Sequence, residues 1–412
     1  MSASNGKHVA IPRPLRVMFL HTIAHGGGAE TLMASLIRRL DRSRFAPELC
    51  CLKSLGALGE ELAREIPAFE GLLGSKYDLR VLPRLTGLLR RRGIDAIISV
   101  GAGDKMFWGR LAARAAGVST VICSIHSTGW PDRIGRLNHA LTPLTDMFVA
   151  VAETHGRYLV EDERLPVDKV CVISNGVDIE LYRPRRPDSE LRRRLGIPPG
   201  PVAGTVARLG AVKNHEMFLD VAARVRHETP DAQFVIVGDG ELRESLEERA
   251  RRLGVGDCVH FLGWRSDVPD VLALMDVFLL TSHIEANPVS ILEAFAVGVP
   301  VVSTRVGSVP DTVREDRGFL VEPGDAEAMT RATLRLFRDP GLARAMGAAG
   351  RRSVVEHWSV DQMVRQYEDL IEQIHYRKRL LPLSHEPAAE NGHVHVVEET
   401  DSDQREDCVV CG

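Results

Sequence analysis

Val277-Phe278-Leu279-Leu280-Thr281-Ser282-His283-Ile284-Glu285-Ala286-Asn287-Pro288-Val289-Ser290-Ile291-Leu292-Glu293-Ala294-Phe295-Ala296-Val297 reads as a short apolar strand, a polar loop and a helix that Pro288 is suited to open. One such βα unit says little, but the same alternation continues on both sides of it. Upstream come strands at Val202–Val206, Gln233–Val237 and 258–262, with helical stretches at 216–226, 241–253 and 268–273; downstream lies a strand at 301–303. The first half repeats the pattern: strands at 16–20, Ala96–Val100, 120–125 and 147–151, helices at 29–40, 105–116, 134–144 and 154–165. Between the halves, Tyr182-Arg183-Pro184-Arg185-Arg186-Pro187 and Pro198-Pro199-Gly200-Pro201 are too proline-rich for regular structure. The reading is α/β: two Rossmann-like, doubly wound parallel-sheet domains. Ligands of such sheets sit beyond the carboxyl ends of the strands, so the cleft between the two domains is where chemistry is expected.

The predicted boundaries are a flexible N-terminus over 1–14, a first domain over 15–183, a linker over 184–200, a second domain over 201–358 and a disordered acidic tail over 383–412. Met363, Tyr367, Leu370, Ile371 and Ile374 fall at helical spacing and predict a last amphipathic helix over 360–378, which needs an apolar surface to cover. A chain of 412 residues exceeds what one core usually supports, which agrees with two domains. The net charge of -4 supplies no basic field for a nucleic-acid partner. Five of the seven cysteines (Cys50, Cys51, Cys123, Cys171, Cys258) lie in apolar, strand-like runs, as reduced buried thiols do. With no apolar stretch long enough to cross a bilayer, a cytoplasmic protein is expected, peripheral at most to the inner face of the cell membrane. The tail holds Cys408-Val409-Val410-Cys411 and Asp401-Ser402-Asp403 in a segment without periodicity, and neither is assigned a metal or catalytic role.

Glu285 and Glu293 bracket a helix N-terminus. Its free N–H groups and the positive end of its dipole favour a phosphate, while the carboxylates accept from sugar and ribose hydroxyls. That combination suits a sugar diphosphate, although a bare Glu pair is as readily a loop carboxylate and a capping residue. Arg208 and Lys213 follow Val202–Val206 at the cleft edge, where fixed cations would stabilise a departing diphosphate without a metal ion; taken alone they are ordinary surface cations. His126 ends the 120–125 strand, within reach of a sugar hydroxyl or merely satisfied at a strand end. Gly26-Gly27-Gly28-Ala29-Glu30 lets a backbone approach a ligand but lacks the spacing of a dinucleotide fingerprint, so a nicotinamide cofactor is disfavoured.

Gly27-Gly28-Ala29-Glu30, Ser174-Asn175-Gly176-Val177-Asp178, Arg208 with Lys213, Val237-Gly238-Asp239-Gly240, Phe261-Leu262-Gly263 and the E-x7-E frame of Glu285 and Glu293 occur in one order. Taken together, they make the chain resemble the retaining family-four glycosyltransferases, or glycosyl transferases group 1. The resemblance implies a GT-B fold, an acceptor-binding first domain, a nucleotide-sugar-binding second domain and a last helix crossing back onto the first. It further implies that Glu285 and His126 contact the donor sugar, Glu293 the ribose, and Arg208 and Lys213 the diphosphate. Val289 and Ser290, together with Asn287, Gly263 and Gly238, would line the donor site, and Gly27 and Gly28 the phosphate or acceptor loop. Transfer would proceed with retention, by front-face displacement in which the leaving phosphate assists deprotonation of the acceptor. Two departures stand out. Ala286 and Asn287 replace the family's usual Gly and an aromatic or Leu, and Ala resists positive φ; Gly307-Ser308-Val309-Pro310-Asp311 replaces a Gly-Gly pair and Glu.

The function expected is transfer of a sugar from a UDP- or GDP-sugar to a glycan or lipid-linked acceptor, in envelope or exopolysaccharide synthesis, with neither metal nor other cofactor. Two alternatives share the fold: hydrolysis or epimerisation of a nucleotide-sugar, and a non-catalytic nucleotide-sugar binder suggested by Ala286-Asn287.

Overall fold

The computed structural model describes residues 13–24, 27–75, 78–127 and 135–380. The predicted acidic tail with Cys408 and Cys411, and most of the predicted flexible N-terminus, lie outside them. In chain order the first half contributes β1 (Leu15–Ile23), β2 (Phe45–Ser54), β3 (Ala68–Phe69), β4 (Ala96–Val100), β5 (Thr120–Ser124), β6 (Met147–Ala150) and β7 (Val170–Val172). The second half contributes β8 (Val202–Val206), β9 (Gln233–Val237), β10 (Val259–Gly263), β11 (Val277–Leu280), β12 (Val301–Thr304) and β13 (Gly318–Val321). Two sheets result, ordered β3-β2-β1-β4-β5-β6-β7 and β10-β9-β8-β11-β12-β13. Their strand pairings are parallel throughout the described residues. Helices cover both faces, so strands such as β4 and β9 are buried along their whole length, and their apolar, largely β-branched composition follows from that burial. Strand order reverses between β1 and β4 in one sheet and between β8 and β11 in the other, which places a crevice at each reversal.

The helix Val360–Leu380 leaves the second half and packs Met363, Val364, Tyr367, Leu370 and Ile371 into the core of the first sheet. Arg44 pairs with Glu368 at 3.2 Å and Glu372 at 2.6 Å, and Lys378 donates to the Ser119 carbonyl at 2.6 Å. At the start of this crossing, the Val177 amide donates to the Trp358 carbonyl and the Val360 amide to the Val177 carbonyl, each at 2.9 Å. Gly176 lies so close that a Cβ there would stand 2.6 Å from the Val360 Cα.

The predicted linker is not structureless. Ser189–Arg194 forms a short helix capped by the Asp188 carboxylate, which accepts from the Glu190 and Leu191 amides, and Leu191 and Ile197 join the core of the second half. The prolines at 187 and 198–199 flank this turn without entering it, and the Asp cap compensates for its shortness. Cys50, Cys51, Cys123, Cys171 and Cys258 are buried free thiols. No helix among the described residues is long and apolar enough to cross a membrane.

Candidate active site

The second sheet's crevice opens between the ends of β8 and β11. After β8 the chain makes a single 3-10 turn, Ala211–Lys213, and Asn214 then adopts φ +48 to cap the helix His215–Glu228. That turn is tied to the loop beyond β11: the Thr281 hydroxyl donates to the Lys213 carbonyl at 3.0 Å, and the His283 amide to the Val212 carbonyl at 2.8 Å. Lys213 Nζ is thereby held 2.6 Å from Glu285 Oε1, and the buried Ser282 hydroxyl donates to the same oxygen at 2.6 Å. Both contacts fall on Oε1, so Oε2 of this buried carboxylate keeps its capacity to accept from a ligand hydroxyl. Arg208 takes a different partner. Its side chain, 75% exposed, pairs with Glu241 at 2.9 Å, so the two predicted cations do not converge on one carboxylate. An exposed pair of this kind is weak and screened by solvent, so Arg208 can leave it for a phosphate.

The helix Val289–Val297 begins beside Glu285 with no side-chain cap and no acidic residue in its first turn. The Ile291 amide turns back to the Pro288 carbonyl at 3.1 Å, and no side chain caps the amides of Val289 and Ser290. Val289 also reaches across to the core of the first sheet. One turn further on, the half-buried Glu293 accepts from the Tyr182 hydroxyl; burial pushes its carboxyl up to about 7, and that hydrogen bond pulls it part of the way back. Tyr182 is held in turn by Arg351, whose Nη1 donates to the Tyr182 carbonyl at 2.7 Å and the Ala296 carbonyl at 3.0 Å.

The two departures from the family pattern have structural outcomes. Ala286 is not among the positive-φ residues, so its methyl group incurs no backbone strain. Asn287 bridges to the first domain: its Nδ2 reaches the Val151 carbonyl, and its own carbonyl accepts from Asn175 Nδ2 at 2.9 Å. Gly307, at φ +49, backs against this loop so closely that a Cβ would lie 1.7 Å from the Glu285 carbonyl oxygen, and Ser308 donates to the Ala286 carbonyl. A second bond system joins the halves: Asp311 accepts from the Thr154 hydroxyl at 2.8 Å and the Thr154 amide at 3.1 Å.

Across the cleft, His126 follows β5 with its Nε2 2.9 Å from Ser124 Oγ. Burial, reinforced by His155, His21 and Lys105, pushes it down to about 3, so its ring is neutral. Gly27 is the N-cap and Gly28 the first residue of the helix Gly28–Arg39, again without a side-chain cap. Gly238 follows β9 and Gly263 ends β10, and the Gly238 amide donates to the Gly263 carbonyl at 2.9 Å. Ser282 and Tyr182 are site neighbours that sequence reasoning did not single out. Ser282 stands three positions before Glu285 in the same loop, a spacing that offered a signal; Tyr182 is remote in sequence from Glu293 and offered none.

Two family models match the chain: Glycosyltransferase Family 4 over residues 26–181 and Glycosyl transferases group 1 over residues 188–353. The UDP-Gal:alpha-D-GlcNAc-diphosphoundecaprenol alpha-1,3-galactosyltransferase of Escherichia coli is 30% identical over 307 residues, 71% of this chain and 79% of that protein. The chain belongs to the group 1 glycosyltransferases. The GDP-mannose-dependent alpha-(1-6)-phosphatidylinositol monomannoside mannosyltransferase of Mycobacterium tuberculosis is 29% identical to this glycosyltransferase, over 84% of this chain and 94% of the relative. Anabaena HepE, solved in complex with UDP-glucose, superposes with a TM-score of 0.77 at 22% identity, covering 87% of the glycosyltransferase and 100% of that chain. The fold is therefore GT-B.

Proposed function

We propose that this glycosyltransferase transfers a sugar, with retention, from a UDP- or GDP-sugar to a glycan or lipid-linked acceptor in envelope or exopolysaccharide synthesis. The observation that carries the reading is Lys213 bound to Glu285 beside the uncapped start of the helix Val289–Val297, at the strand-order reversal of the second sheet. The names of relatives, with UDP-linked and GDP-linked donors and lipid-linked acceptors among them, support the substrate class.

In this reading the diphosphate lies on the amides of Val289 and Ser290, with Lys213 and Arg208 neutralising it in place of a metal ion. Glu285 Oε2 accepts a donor-sugar hydroxyl, Glu293 the ribose hydroxyls, and His126 contacts the sugar from the opposite domain. Gly238 and Gly263 leave room for the nucleotide, and Gly27 and Gly28 form the loop facing phosphate or acceptor. Asn287 supports the site by holding the domains together. The acceptor oxygen attacks the anomeric carbon on the face from which the phosphate leaves. Its proton passes to a phosphate oxygen as the carbon–oxygen bond to phosphate breaks, releasing the nucleoside diphosphate. Lys213 follows the growing negative charge and contributes more to the transition state than to the ground state.

Assay of the purified chain in the presence of a chelator, with UDP- and GDP-sugars against lipid-linked and glycan acceptors, tests this. Turnover with a retained anomeric configuration is expected, and Lys213→Ala should lower kcat by roughly 10²–10³-fold, as loss of a charge-stabilising group does elsewhere. Donor consumption that ignores the acceptor would point to a hydrolase, and tight donor binding without turnover to a binding protein.

A further inference from the structure

A buried hydrogen-bond line runs from the crossing helix to His126. Tyr367, 4% exposed, places its hydroxyl 2.7 Å from Ser124 Oγ. Ser124, 2% exposed at the end of β5, places the same oxygen 2.9 Å from His126 Nε2. Ser124, His126 and Tyr367 line one small cavity with Asn175, Met33 and Met363. Among the described residues the Tyr367 hydroxyl has no partner but Ser124.

A hydroxyl donates once and accepts twice, so the hydrogens on this line have three arrangements. If His126 carries its hydrogen on Nε2 and donates to Ser124, either Ser124 donates to Tyr367 and the phenolic hydrogen is left without an acceptor, or Tyr367 also donates to Ser124 and the Ser124 hydrogen is left so; each leaves one buried hydroxyl hydrogen unpaired, a costly arrangement. If Tyr367 donates to Ser124 and Ser124 to Nε2, both buried hydroxyl hydrogens are placed, and the neutral ring carries its own on Nδ1. The neighbouring His155 has the opposite arrangement: its Nδ1 faces the Val151 amide at 3.2 Å, so its hydrogen is on Nε2, 3.3 Å from the Ser127 carbonyl. That contact steadies the residue next to His126.

We propose that Tyr367 is a positioning residue that acts through Ser124 to fix His126 as its Nδ1–H tautomer, so that His126 meets the donor sugar as a hydrogen-bond donor. The effect on the reaction rests on the sugar contact proposed above; the tautomer does not. The crossing helix thus does more than cover a core, since it sets the proton on a ring that lines the same small cavity.

Long-range ¹H–¹⁵N spectra of the full chain labelled in histidine, with the His126 signal assigned through His126→Asn, read the tautomer directly. The wild type should show Nδ1–H, and Tyr367→Phe and Ser124→Ala should both shift it toward a mixture. Tyr367→Phe keeps the packing of the ring, and kcat should fall roughly five- to thirtyfold with donor affinity unchanged. A wild-type Nε2–H signal overturns the proposal, as does a tautomer that neither substitution alters. A tautomer that shifts while kcat holds upholds the relay and counts against His126 as a sugar contact, so the two ideas fail separately.

Discussion

Glu293 shows how one side chain can couple nucleotide recognition to pH. With its carboxyl pushed up to about 7 by burial, it is only partly ionised at neutrality. Ribose hydroxyls are donors, and a carboxylate that already accepts from Tyr182 binds them in its anionic form. Donor affinity should therefore rise with pH through 7, by on the order of tenfold between pH 6 and pH 8. Calorimetric titration with UDP- and GDP-sugars, whose diphosphate diesters do not titrate in that range, measures it. Glu293→Gln should abolish the dependence, whereas flat wild-type affinity would remove Glu293 from ribose recognition. Arg351 enters the same account indirectly: by fixing the Tyr182 and Ala296 carbonyls it holds the phenol over the carboxylate.

Among the elements, the helix Glu153–Glu161 has an unusual start. Its own N-cap, Ala152, offers no side chain, and the cap comes from Asp311 of the opposite domain, which accepts from Thr154. A cap of this kind contributes about 0.5–2 kcal/mol. Asp311→Ala should accordingly speed amide exchange over residues 153–157, an effect that hydrogen-exchange mass spectrometry resolves; unchanged exchange there would mean the contact carries no weight. Such a partnership could not be read from the sequence, because the two residues are 157 positions apart and neither spacing nor periodicity links them. The elements themselves were more legible. Val202–Val206, Gln233–Val237, Val277–Leu280 and Val289–Val297 stand where their apolar runs predict, since strands buried on both faces leave an unbroken hydrophobic signature. β2 was missed because Pro47 and Glu48 interrupt its run, although Glu48 is neutralised by Arg92 at 2.8 Å. The site was legible as residue types at strand ends. Its wiring was not: Lys213 with Glu285 rather than Arg208, Asn287 turned to Val151, and Tyr182 on Glu293 all depend on tertiary placement.

At the scale of the whole molecule, three histidines lie in apolar surroundings in the neutral state: burial pushes His126 to about 3, and His155 and His215 each to about 4. The unfolded chain binds protons at these rings near pH 6.5 while the folded chain does not, so their contribution to stability is present above pH 6.5 and is lost as pH falls toward 4. Glu293 has the opposite sign, with stability lost as pH rises from 4.5 through 7, and burial raises Asp276 likewise, but the histidines outnumber them, since burial lowers His260 and His375 as well. A denaturation midpoint that drops between pH 7 and pH 5 is therefore expected, with a slope on the order of 1.4 kcal/mol per pH unit for each net proton; a midpoint that does not move would show that these rings are hydrated or compensated. The crossing helix has a consequence of another kind. A ribosome makes β1 before the other strands and Val360–Leu380 only after both sheets have been translated, yet Leu370 and Ile371 belong to the same core as Phe19 and Leu49. The emerging first domain must wait with that apolar face uncovered, a ready target for a chaperone, while the second domain is complete enough to fold on its own schedule. Synthesis order thus makes the half of the molecule that is made first the last to be finished.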